Sequence, residues 1–267
     1  MREEVEIRHE FDGHHVDMPK IRAAFLIICL LTLCIDCAGN KELRRKQARA
    51  REDLGRSYVL RGDLKAGLEQ LIEAAKLDPK NPNLQHQLAL TYKDLGLYKE
   101  ALAHFKKTLA LRPEFPEALN NLGTLYALLG KWDLAIASFE KAVSYVSYRT
   151  PYFAYNNLGL AYHNKGEYRK AIDSYLEALR LLPSYAICHA NLALAYEAIS
   201  KWQLAIDAYE KAISYDPENP IAHLNLGKLY LKLNRTTEAA EEFRQTIEIA
   251  PEGPFAEEAK KLLVKIK

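Results

Sequence analysis

Four cysteines are the residues best equipped for chemistry: Cys29, Cys34, Cys37 and Cys188. Three crowd into one greasy stretch and one stands alone. A disulfide framework needs cysteines paired across a folded region, and a zinc site needs spaced ligand pairs; this distribution offers neither. His9, His14 and His15 cluster near the start and give only a faint metal signal. There is no glycine-rich phosphate loop, no serine, histidine and acid in nucleophile order, and no metal motif. Carboxylates are scattered over faces expected to meet water. No catalysis, cofactor or metal is expected, so the residues of interest must act by attachment and contact.

The elements that position them begin with the N-terminus. The uncharged run Ala23 to Ile35 is about half the length that a membrane-spanning helix needs. Lys20 and Arg22 precede it, as in the positively charged opening of an export signal. MPKIRAAFLIICLLTLC makes Met18 the expected true start, with residues 1–17 an extension ahead of it.

The segment resembles the signal of a bacterial lipoprotein. In that family cleavage falls just before a cysteine, which is then acylated. DCAGN makes Cys37 the expected lipidation site, with Cys34 the alternative. Asp36 departs from the Gly, Ala or Ser that the family places before the cut, and Leu33 is bulky before Cys34. The resemblance implies residues 18–36 as signal peptide, residues 37–47 as tether, and export to the outer membrane, because neither Ala38 nor Ile35 is aspartate. An uncleaved signal anchor and a secretory signal cut elsewhere are the competing readings. Acylation makes physical sense: each buried methylene contributes about 0.8 kcal/mol, and one chain alone holds only marginally.

The rest of the 267-residue chain is periodic. DLGRSY, QLALTY, NLGTLY, NLGLAY, NLALAY and NLGKLY bring Tyr58, Tyr92, Tyr126, Tyr162, Tyr196 and Tyr230 into register, spaced 34, 34, 36, 34 and 34. Prolines close units at Pro79, Pro113, Pro183, Pro217 and Pro251. This is similar to the tetratricopeptide repeat, a helix-turn-helix unit of about 34 residues. It implies an all-α, right-handed solenoid of six repeats over 48–253, closed by a capping helix over 254–267. Gly123, Gly159 and Gly227 are small where the two helices of a unit meet. Gly62, Gly96, Gly130 and Gly166 fall in the turn between them. Phe105, Phe139, Tyr175, Tyr209 and Phe243 are expected to fill the space to the next unit. The register also absorbs Cys188, which takes a slot held by alanine elsewhere, and His189 and His223, which share a packing slot. Phe255, Leu262, Leu263 and Ile266 are expected to cover the last unit.

Stacked units curve, with the first helix of each on the concave side. The candidate partner-binding residues there are Asn120, Asn121, Thr124, Phe153, Asn156, Asn157, Asn191 and Asn225. Asparagines at this place in the family can form a ladder that bonds the backbone of an extended peptide, since an amide both donates and accepts. Ordinary consensus packing explains the same residues, and both readings stand at this point. The neighbouring inward positions, including Leu160, His163, Ile187 and Leu194, carry little charge, which fits an apolar or amphipathic segment better than an acidic tail. SYVSYRTPYFAYNNLG holds the two extra residues. Its tyrosines make either an aromatic contact site or a wedge where the stack is irregular.

Net charge is only +2, so no global basic field points to nucleic acid. A lipoprotein-type signal followed by six such repeats resembles the type IV pilus biogenesis lipoproteins known as pilotins. That resemblance implies a protein-interaction scaffold facing the periplasm, lipid-anchored in the outer membrane, whose partner is a secretin subunit. The alternatives are a general envelope-assembly scaffold lipoprotein, or an accessory subunit of an enzyme carried on another chain.

Overall fold

The computed structural model of the chain describes residues 41–266, which form thirteen α-helices and no strand. The helices are α1 (41–60), α2 (Leu64–Leu77), α3 (Pro82–Asp94), α4 (Tyr98–Leu111), α5 (Pro116–Leu128), α6 (Trp132–Val143), α7 (Pro151–Asn164), α8 (Tyr168–Leu181), α9 (Ala186–Ala198), α10 (Trp202–Tyr215), α11 (Pro220–Lys232), α12 (Thr236–Ile249) and α13 (Pro254–Ile266). They pair in sequence into six hairpins, and α13 follows.

Each hairpin turns through one left-handed residue. Gly62, Gly96, Gly130 and Gly166 have φ of 85°, 75°, 68° and 78°, where the missing Cβ removes the steric penalty. In the last two hairpins Ser200 and Asn234 adopt φ of 57° and 58° instead. The carbonyl of the repeat tyrosine accepts the closing bond in every case, as in Leu97 N–H to Tyr92 O at 2.8 Å and Arg235 N–H to Tyr230 O at 2.9 Å. This satisfies a carbonyl that the helix end would otherwise leave unpaired. Prolines also open first helices: Pro82, Pro116, Pro151 and Pro220 sit in the first turn of α3, α5, α7 and α11, where an N–H has no helical partner to lose.

The core aromatics pack first against their own unit. A Cβ placed on Gly123, Gly159 or Gly227 would lie 2.5, 2.5 or 2.7 Å from the ring of Phe139, Tyr175 or Phe243. The expected contact with the following unit is made as well: Phe105 shares a buried cluster with Leu122 and Leu125. Cys188 is fully buried, its thiol reaching Tyr175 O at 3.5 Å, and burial pushes its pKa up to about 12. It is a packing residue, as its alanine slot implied.

Two places differ from the simple repeat. Residues 41–47, expected as tether, are already helical; they are mostly strong helix formers and contain neither glycine nor proline. After α6, residues 144–150 replace the usual closing proline. Tyr148 turns inward among Leu119, Ala142 and Ala154, and Tyr145 Oη donates to Pro113 O at 3.4 Å. These two tyrosines are the wedge. At the far end Phe255, Leu262, Leu263 and Ile266 pack on the last units as a capping helix should.

Successive first helices α3, α5, α7 and α9 touch one another, while successive second helices make no comparable contact. The first helices are therefore on the inside of the curve.

Candidate partner-binding face

Residues three, four and seven apart on a helix share a face. On α7 that face is Phe153, Asn157 and Leu160; on α9 it is Ile187, Asn191 and Leu194; on α11 it is Ile221, Asn225 and Lys228. Phe153, Ile187 and Ile221 are 42, 54 and 46% exposed, and Leu160 and Leu194 are 42 and 38% exposed. Five apolar side chains thus line up across three repeats on the concave side without cover. The equivalent leading position in the second and third repeats is polar, Asn83 and Glu117, so the apolar column belongs to the C-terminal half. Ile221 escaped the sequence reading although it stands 34 residues after Ile187; the repeat register was the signal that finds it.

The asparagines between these apolar rows form a ladder, but its rungs run between repeats. Asn121 Nδ2 donates to His86 Nε2 at 3.0 Å, Asn157 Nδ2 to Asn120 Oδ1 at 3.1 Å, and Asn191 Nδ2 to Asn156 Oδ1 at 3.0 Å. His86, Asn120 and Asn156 occupy one slot, one residue before the asparagine position. At the next step that slot is Ala190, and no protein partner for the Asn225 amide is found among the described residues. The ladder stops where the first helices cease to touch closely. Asn156 is buried beneath it. Thr124 turns its hydroxyl back to Asn120 O at 3.1 Å, so it serves its own helix. Asn121, Asn157 and Asn191 each keep a carbonyl oxygen and a second amide hydrogen for a ligand.

Aromatic residues thicken one end of the column. Tyr152 lies 4.4 Å from Phe153 between ring centroids, and Tyr185 stands edge-on to both at 5.8 and 5.7 Å. Tyr185 was not singled out in the sequence, because it falls outside the helical register, just before α9. His163 packs edge-on against Tyr168 at 5.1 Å. The nearby charges are engaged: Lys93 pairs with Asp94 at 3.3 Å, Lys228 with Glu258 at 2.7 Å, and Glu197 accepts from Tyr209 Oη at 2.8 Å. His86 is buried, and burial, with the charges of Arg112 and Lys93, holds its pKa down to about 4. Its neutral ring accepts from Asn121. Cys34, Cys37, His9, His14 and His15 lie outside the described residues.

Family models described as tetratricopeptide repeat match residues 81–146, 114–184 and 153–218, and a second matches 191–254. A third, described as TPR repeat, matches 55–96. The chain belongs to the tetratricopeptide repeat family. As such it is an all-α scaffold for protein–protein interaction. No curated protein matches this tetratricopeptide chain. Among solved structures it is similar to PilW, described as a widely conserved type IV pilus biogenesis factor, with 23% identity, TM-score 0.74, and 81% of this chain and 98% of that one covered. It is also similar to pilF of Pseudomonas aeruginosa, at 20% identity and TM-score 0.71, over 82% of this chain and 98% of that one. YrrB, described as a TPR protein with an unusual peptide-binding site, has 19% identity and TM-score 0.56, over 72% of this chain and 97% of that one.

Proposed function

We propose that this tetratricopeptide protein is a lipid-anchored scaffold of the outer membrane that holds an apolar or amphipathic segment of a secretin subunit during type IV pilus assembly. The observation that carries the proposal is the uncovered column Phe153, Ile187 and Ile221, with Leu160 and Leu194 beside it. Water-exposed apolar side chains aligned over three repeats are suited to an apolar strip on a partner, and the ladder amides offer hydrogen bonds to its backbone. The pilus setting draws support from the likeness to PilW, which extends over nearly all of that protein.

The anchor half of the proposal rests on the signal-like run before Cys37. The helix that follows suits it: Lys41, Arg44, Arg45, Lys46 and Arg49 are all exposed on α1 and would lie close to anionic head groups. Intact mass of the membrane-extracted protein should show acyl chains on an N-terminal Cys37. A pull-down from solubilised envelope, read by mass spectrometry, should recover a secretin subunit with the wild-type chain and lose it when Phe153, Ile187 and Ile221 are changed to serine. Recovery of other envelope-assembly components in its place would support the general scaffold instead.

A further inference from the structure

A polar relay recurs inside the solenoid, and one repeat lacks half of it. In the second repeat Gln85 Nε2 donates to Pro79 O at 3.2 Å, and its Oε1 lies 2.8 Å from His104 Nδ1. In the sixth, His223 Nε2 lies 3.1 Å from Pro217 O, and Nδ1 lies 2.6 Å from Glu242 Oε2. In both, one side chain of the first helix bridges the preceding closing proline to the second helix. The third and fourth repeats do without it, holding Leu119 and Tyr155 in that slot; Ser138 and Ser174 turn back to their own helices. The fifth repeat has the histidine without the partner. His189 Nε2 reaches Pro183 O at 2.9 Å, but the place of Glu242 is taken by Ala208. His189 is 6% exposed, and its Nδ1 is the one buried side-chain nitrogen or oxygen without a hydrogen-bond partner among the described residues. Such an atom calls for an explanation.

Beside it opens a groove of about 440 Å³ between α8 and α10, floored by α9 and lined by His189 and Ala208 among others. Its rim is apolar: Leu176, Leu204 and Tyr215 are 46, 45 and 49% exposed, and Tyr215 stacks on the His189 ring at 5.5 Å. Arg180, Lys211 and Asp207 line the groove; Arg180 Nε already donates to Glu177 Oε2 at 2.9 Å, so Lys211 and Asp207 are left as one charge of each sign. The second helices are outermost, so this surface is separate from the concave column.

We propose that this outer groove docks a partner segment carrying a carboxylate side chain beside apolar residues, the carboxylate taking at His189 the role that Glu242 plays at His223. The sixth repeat supplies the template for the ligand chemistry, His223 holding Glu242 at 2.6 Å in the equivalent place, and Lys211 lines the same groove as a cation. Leu176, Leu204 and Tyr215 receive the flanking apolar groups. With Nε2–H given to Pro183 O, Nδ1 holds a lone pair, so the carboxylate enters together with one proton from solvent, which Nδ1 takes up and donates back to it. The titratable and charged groups that line the groove are Arg180 from α8, Tyr196 from α9, and Asp207, Lys211 and Tyr215 from α10, with Glu177 of α8 bonded to Arg180. The proposal does not depend on the secretin reading.

The test uses the full-length detergent-solubilised chain with labelled histidine and a short capped peptide holding one glutamate between leucines. On titration at pH 7 the His189 Nδ1 resonance should move from the unprotonated to the protonated range. The glutamine twin of the peptide should bind about tenfold more weakly or worse, because a charge-assisted bond is lost, and should leave Nδ1 unprotonated. Ala208→Glu should place the carboxylate from within and abolish the response. If that variant fails to fold, the exposed double change Arg180→Gln with Lys211→Gln keeps the test open and should weaken binding about fivefold. A His189 signal that ignores the peptide, or answers equally to the glutamine twin, would mean that Nδ1 simply stays unpaired and would overturn the proposal.

Discussion

Asn157 donates its amide to Asn120 at 3.1 Å, across 37 residues of sequence and one step of the solenoid. The same bond joins Asn191 to Asn156, and at the first rung the Asn121 amide donates instead to the His86 ring. A residue type that looks like a ligand-binding ladder is therefore also a strut between repeats. The two readings of these asparagines are compatible, because one amide hydrogen serves the strut and the carbonyl oxygen is left for a guest.

The struts should be measurable. Asn157→Ala and Asn191→Ala should each cost about 1 kcal/mol of stability, the net value of one such bond. Asn225→Ala should cost almost nothing, since its counterpart across the step is Ala190. Urea unfolding of the three variants, compared at equal slope, makes the check. Equal losses at all three positions would show that the slot matters for some other reason.

The glycine beneath Phe139, Tyr175 and Phe243 sets a graded cost. Gly159→Ala puts a methyl 2.5 Å from the Tyr175 ring, yet Ala89 and Ala193 stand in this slot in the second and fifth repeats, so a displaced ring is compatible with the fold. The expected loss is about 1 kcal/mol for alanine and about 3 kcal/mol for leucine. Hydrogen exchange should place the loosening in α7 and α8 and their neighbours, because solenoid stability is close to nearest-neighbour. Uniform loosening of all repeats would contradict this.

Acid should weaken the first rung. The folded state holds the pKa of His86 at about 4, below the value near 6.5 of an unfolded chain. The neutral ring is favoured, so its contribution is fully present above about pH 6.5 and declines as pH falls toward 4. Protonation turns Nε2 from acceptor to donor, facing the Asn121 amide. His223 acts in the opposite direction: its bond to Glu242 raises its pKa, so its contribution holds at low pH and fades as pH rises through that raised value. The wild type should lose more stability than His86→Gln between pH 6.5 and 4, by up to the order of 3 kcal/mol. Parallel pH profiles for the two proteins would refute the assignment.

The repeat register was legible because each slot answers to local sterics: a tyrosine whose carbonyl closes the turn, a glycine under a ring, a proline after the second helix. Ser200 and Asn234 were harder to foresee as the left-handed turn residues, since neither type requires that conformation. The helical state of residues 41–47 was hidden behind an assumed tether. The strut partners were out of reach for another reason. His86, Asn120 and Asn156 lie one position before the asparagine slot, and only the curvature of the stack decides which side chain of the next repeat meets them. Likewise the missing partner of His189 appears only when slots on two helices are compared in three dimensions. The exposed column was partly visible in Phe153, Ile187, Leu160 and Leu194, whereas Ile221 and Tyr185 needed the folded surface.

The most direct test of the account is the level of secretin multimer in fractionated envelopes of cells whose chain carries Phe153→Ser, Ile187→Ser and Ile221→Ser with Cys37 intact. These side chains are exposed, so the variant should fold as the wild type by circular dichroism. The expected result is a variant that still sediments with the outer membrane while the secretin multimer falls toward the level of a full deletion. Multimer and pili at wild-type levels, with the variant folded and in place, would contradict it.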